Sequence, residues 1–237
     1  TLSALAELRM EGSAADVLAL ASSGETLWAL SADGLLATFS LDEGDQSPTE
    51  GRVPVQRWQH LADCAAGLAA LPGGGLALGG REGLRRWADG EVGPVEPLLP
   101  VVGKESSTEC SGFAAVAVYD GPPAFLACGG EHGGGVLLCS LPALQSPLHL
   151  QLRSQAGVAA LGLCTSGPSP ERRCLLLAAA CRDASLEVHA AALPAVETAA
   201  GGCALGEPVL VVAMNEPFAT PLPALCAFAC EPAPDPG

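Results

Sequence analysis

Charge is scarce in this 237-residue chain, at 16% of residues, and basic charge is the scarcer kind: 11 Lys and Arg stand against 26 Asp and Glu. The net charge of −15 argues against a general nucleic-acid binder, which needs clustered Lys and Arg to displace counterions. It also disfavours docking on anionic membranes. No segment approaches the roughly 18 consecutive apolar residues of a membrane-spanning helix. The densest run, CLLLAAAC at 174–181, is bracketed by Arg173 and Arg182. No basic-then-apolar leader follows Thr1; with no initiator Met, the chain is expected to be a piece of something longer or a processed product. No CxxC occurs among the ten cysteines, and the closest pair, Cys226 and Cys230, has no His nearby to complete a zinc set. No phosphate-binding GxxxxGK[ST], no GxGxxG opening a helix and no GxSxG elbow is present. His60, His132, His149 and His189 are never at ligand spacing. The expectation is a protein without catalysis, cofactor or metal.

What is abundant is equally telling. Half the residues are apolar, and there are 29 Gly and 20 Pro. That mix fits many short strands joined by tight turns, because Gly and Pro interrupt helix interiors. Cys128, Cys139, Cys164, Cys174, Cys181 and Cys226 lie inside the apolar pulses. They read as small buried hydrophobes in a reducing, cytoplasmic setting, with a disulfide-bearing secreted domain as the alternative.

The pulses repeat. VLALASSGETLWALSADGLLATFSL (17–41), GLAALPGGGLALGGREGLRRW (67–87), FAAVAVYDGPPAFLACGGEHGGGVLLCSL (113–141) and VAALGLCTSGPSPERRCLLLAAACRDASLEVHAAAL (158–193) share one grammar of strand, turn, strand, short turn, strand. A fifth start reads PVLVVAMNEPFATPLPALCAFACEPAPDPG (208–237). The second turn is marked by Asp33, Glu82, Gly133, Asp183 and Asp235, at steps of 49, 51, 50 and 52. Phe39, Trp87, Cys139 and His189 follow these turns in register. One small antiparallel sheet cannot bury both faces, so sheets repeating every 40 to 50 residues pack face to face around an axis. The fold class predicted is all-β, a propeller of about four to five blades, whole or part of a larger ring. The blade-like units fall near 12–44, 58–100, 108–150, 155–200 and 205–237. The N-terminal TLSALAELRM is a candidate outer strand for the last.

These units resemble WD repeats: Val17 to Ala21, the turn Ser22 to Glu25, Leu27 to Leu30, Asp33-Gly34, then Leu36 to Leu41. Only Trp87 keeps the signature Trp, and Ser40, Ala88, Ser140 and Ala190 stand where the signature Asp would follow. The Gly-His pair that opens a unit is missing, so the Asp-His-Ser-Trp hydrogen-bond network of that family is not expected. Kelch repeats are the rival, through Gly79-Gly80 and Gly129-Gly130.

The resemblance implies an interaction scaffold for a protein or peptide, not for nucleic acid or membrane. The alternatives are a propeller hydrolase or lyase and a purely structural repeat. An enzyme would need acids or ligands on inner strands, and the pulses LALA, AALP, AVAV, LGLC and LVVA carry none. In WD-like blades the turns between second and third strands lie on one rim. Here they carry Asp33, Arg81, Glu82, Glu131, His132, Arg182 and Asp183. Ordinary turn chemistry explains Asp and Gly there. A partner-binding arc, with Arg81 and Arg182 taking carboxylates, is the functional reading. Trp58 sits between units, a further candidate partner contact, while Trp28 and Trp87 read as core.

Overall fold

The structure, a computed structural model, describes residues 15–24, 26–40, 55–60, 65–81, 83–87, 96–100, 112–141, 147–167, 173–193 and 205–214. Every element among them is a strand: β1 (Val17–Ser23), β2 (Thr26–Ser31), β3 (Leu35–Ser40), β4 (Val55–His60), β5 (Ala65–Ala70), β6 (Leu76–Gly80), β7 (Gly83–Trp87), β8 (Glu96–Pro100), β9 (Phe113–Tyr119), β10 (Phe125–Gly130), β11 (Gly135–Ser140), β12 (Leu148–Gln151), β13 (Val158–Ser166), β14 (Cys174–Cys181), β15 (Leu186–Ala192) and β16 (Val209–Met214). They pair in chain order into four antiparallel four-stranded sheets, β1 to β4, β5 to β8, β9 to β12 and β13 to β16. We number these blades 1 to 4.

Tight turns make this pairing local. Gly34 and Gly134 take left-handed backbone angles, with φ of 82° and 63°, in the turns joining β2 to β3 and β10 to β11. Blade 4 has Ala184 at the equivalent place, with φ of 66°. A side chain there is sterically disfavoured, which is why the other blades use Gly.

Packing between blades is apolar and continuous. Trp28, Leu30 and Leu36 of blade 1 meet Leu68, Leu76, Leu78 and Trp87 of blade 2. Ala77 and Leu84 on the opposite face of blade 2 meet Phe113, Leu126, Leu137 and Cys139 of blade 3. Phe125, Ala127, Val136 and Leu138 then meet Val158, Leu175, Leu177 and Ala179 of blade 4. Blades 2 and 3 are thus buried on both faces. Small residues let the sheets approach: a Cβ on Gly79 would stand 2.7 Å from Val116 Cγ2, and one on Gly129 would stand 2.6 Å from Val158 Cβ. Gly79 and Gly129, next to last in β6 and β10, are therefore seam residues.

The blade boundaries differ from those expected. Trp58 does not lie between units: it sits in β4, the outer strand of blade 1, paired with Ala37. The unit placed at 58–100 therefore starts too early, since β5 opens blade 2 at Ala65. The strand at 209–214 does not open a fifth blade but closes the fourth, with Val188 opposite Val212. LVVA is accordingly an outer strand, not an inner one. The expected N-terminal strand, Asp235 and the remainder of 215–237 lie outside the described residues.

Candidate functional site

The inner strands β1, β5, β9 and β13 adjoin one another in that order. They line a space of about 330 Å³, walled by residues such as Leu18, Gly67, Val116 and Ala160. The wall offers no acid, base or ligand set. Among the described residues no group of three His, Cys, Asp or Glu could hold a metal. A second cleft, of about 590 Å³, opens where β1, β5 and β9 end, and Leu20, Ser22, Ser23, Leu68, Pro72 and Asp120 are among the residues that line it.

The predicted turns lie at the other end of the strands, and the same hydrogen bond fixes three of them. Ala32 N donates to Asp16 O at 2.9 Å, Glu131 N to Gly112 O at 3.1 Å and Arg182 N to Gly157 O at 2.9 Å. Each acceptor is the residue just before an inner strand. Neighbouring turns are locked together through these glycines. A Cβ on Gly112, whose φ is 92°, would stand 3.1 Å from Arg81 Cα and 3.5 Å from Glu131 Oε2. A Cβ on Gly157 would collide with the Glu131 carbonyl oxygen. The order Arg81, Gly112, Glu131, Gly157, Arg182 is therefore contiguous along one rim.

Within this rim the residues divide by role. Asp33 accepts from Ser31 Oγ. Asp183 accepts from Ser154 Oγ at 2.8 Å and from Ser185 N at 3.1 Å and Oγ at 2.6 Å. The bond from Ser185, reinforced by that from Ser154, holds the Asp183 carboxyl below the usual aspartate range. Both aspartates do the turn work expected of them. Arg81, His132 and Arg182 are exposed, and Glu131 is half-buried. Glu82 and the side chain of Trp58 lie outside the described residues.

One site escaped the sequence reading. Glu187 is 1% exposed, on the seam face of β15. Its Oε1 accepts from Arg153 N at 2.8 Å and Ser154 N at 3.2 Å, and its Oε2 lies 3.1 Å from His189 Nε2. His189, 6% exposed, takes the register of Trp87 and Cys139 as expected. Its Nδ1 is buried without a partner. Burying a carboxylate is costly unless its lone pairs are satisfied, and this one is satisfied by the loop entering its own blade. Together Ser154, Asp183, Ser185, Glu187 and His189 form a polar clasp joining the blade 3–4 loop to the second turn of blade 4. The signal was present: Glu187 precedes His189 by two residues, so a seam-facing His189 implies a seam-facing Glu187.

Comparison with known proteins places the fold. No family model matches the chain, and no curated protein matches it by sequence. Among solved structures, the β-propeller domain of Cps50 (Swd1) from Myceliophteria thermophila is similar at a TM-score of 0.54 and 16% identity, covering 84% of this chain and 60% of that one. A chain of the mitotic checkpoint complex is similar at a TM-score of 0.50 and 16% identity, covering 87% of this chain and 54% of that one. The fold is an all-β propeller of antiparallel blades, and the chain spans little more than half the length of these two.

Proposed function

We propose that this chain is a non-catalytic interaction scaffold of the WD-like kind, acting in a reducing, cytoplasmic compartment. It binds a protein or peptide partner through the rim formed by its second turns. The observation that carries the reading is the locked rim: the bonds from Glu131 N to Gly112 O and from Arg182 N to Gly157 O, with those glycines packed against Arg81 and Glu131, set Arg81, Glu131, His132 and Arg182 along one edge of the sheet stack. The apolar wall of the inner strands supports a scaffold over an enzyme. A similar fold was solved within a complex, which supports a protein partner at a coarse level.

The test needs a partner first, isolated by affinity capture. Arg81→Ala combined with Arg182→Ala should weaken capture while the melting temperature stays nearly constant, because both side chains are exposed. Undiminished capture by the double variant moves the interface off this rim.

A further inference from the structure

The cleft where β1, β5 and β9 end lies at the opposite end of the strands from the rim of second turns. Its volume of about 590 Å³ falls in the range of ligand sites, roughly 300–1,000 Å³. A Cβ on Gly24 or Gly73, both in its lining, would meet nothing within 4 Å among the described residues. Leu20, Leu68 and Val118 give the cleft an apolar wall, and Leu20 is left 58% exposed. It shares Leu20, Ser22 and Leu68 with the space of about 330 Å³ between the inner strands, so it is the mouth of that space. Asp120, itself exposed, carries the only charge among the residues that line either one.

We infer that this mouth takes an unmodified lysine side chain of a partner polypeptide. A lone carboxylate on a chain of net charge −15 selects a cation. The donor geometry then selects between the two basic side chains. A guanidinium is suited to bidentate pairing and to stacking on an aromatic face, and no aromatic residue is among those lining the cleft. An ammonium is a compact charge with three donors on a flexible aliphatic stem. The cleft offers it the Asp120 carboxylate and the Ser22 and Ser23 hydroxyls, and offers the stem Leu20, Leu68 and Val118. The same lack of aromatic faces withholds the cage that a methylated ammonium needs, and acetylation removes the charge. The volume also admits residues that flank the lysine, which is why the occupant is a polypeptide and not a free amine.

The test uses the full chain and the peptide Ala-Ala-Lys-Ala-Ala, amidated at its end and dye-labelled on its N-terminus so that lysine holds the only amine, followed by fluorescence anisotropy. Counterparts carry acetyl-lysine, norleucine, trimethyl-lysine or Arg in place of the lysine. The acetyl-lysine and norleucine peptides should bind about tenfold or more weakly than the Lys peptide, since each loses a charged hydrogen bond. The trimethyl-lysine and Arg peptides should also fall below it. Asp120→Asn, nearly isosteric and exposed, should weaken the Lys peptide about tenfold without moving the melting temperature. The Arg81→Ala and Arg182→Ala double variant should bind the peptide as the parent does, so failure of the rim and failure of this site are read separately. Four results would overturn the inference: no binding of the Lys peptide at about 1 mM, equal binding by Asp120→Asn, equal binding of the Arg or acetyl-lysine peptide, or displacement of the peptide by butylamine at equal concentration.

Discussion

Asp183 was a candidate for partner contact, and its bonds to Ser154 and Ser185 assign it a structural task that can be titrated. The bond from Ser185, and then that from Ser154, hold its folded pKa below that of an ordinary aspartate. A depressed carboxylate stabilises the fold fully above its unfolded pKa and loses that contribution as pH falls through its folded one. Asp183→Asn should therefore melt below the parent at pH 7, and the gap should close as pH drops below about 4. The group is exposed and solvent-screened, so the neutral-pH loss is about 1 kcal/mol or less, a few degrees at most. A gap that widened in acid would refute the assignment. Cysteines give a second residue-scale check. Burial pushes the Cys139 thiol up to about 12, leaving almost no thiolate at neutral pH. Cys174 is only half-buried at the start of β14. Alkylation of the native protein, mapped by mass spectrometry, should modify Cys174 well before Cys139; equal rates would mean that the seam beside Cys139 opens readily.

Turns and strands were unequally legible. The second turns could be found in sequence because turn chemistry is local: Asp, Gly and Ser act within a few residues of themselves. β4 and β8 were harder, since VQRWQH and EPLLP lack the apolar signature of a strand. Outer strands pair on one side and meet water on the other, so neither continuous apolarity nor freedom from Pro is required of them. The same one-sidedness let VLVVAM pass for the opening of a new blade, because a continuously apolar outer strand looks like an inner one. The Glu187 clasp was missed for the opposite reason: its partners Arg153 and Ser154 are more than thirty residues away, and nothing local announces them. Two substitutions of opposite sign test how the turns are built. Gly157→Ala adds a methyl against the Glu131 carbonyl, where overpacking costs about 1–3 kcal/mol. Ala184→Gly relieves a left-handed alanine and should gain about 0.5–1 kcal/mol, the steric relief exceeding the added freedom of the unfolded chain. Thermal melts in which both variants shift the same way would undercut this account of the rim.

At the scale of the molecule, the blades depend on one another because each seam is shared. Blade 3 presents Leu126 and Leu137 to blade 2 and Phe125 and Leu138 to blade 4. Unfolding blade 4 would uncover one face of blade 3, and so on toward blade 1. Stability in such an array is a sum of unit and nearest-neighbour terms, and strong apolar seams make the sum cooperative. Tryptophan offers a local reporter of this coupling: Trp28 and Trp87 both lie in the seam between blades 1 and 2. The chain's third and last Trp, Trp58, is in β4 of blade 1. Indole fluorescence therefore reports blades 1 and 2, while circular dichroism reports all strands. Leu175→Ala removes a side chain 1% exposed in the seam between blades 3 and 4, a loss of about 2–5 kcal/mol. If the arc unfolds as one body, the fluorescence midpoint moves down together with the dichroism midpoint, although the cavity is two seams away from the nearest Trp. If the blades unfold independently, dichroism acquires an early transition and fluorescence stays where it was. The unbroken sequence of seams leads us to expect coincident shifts.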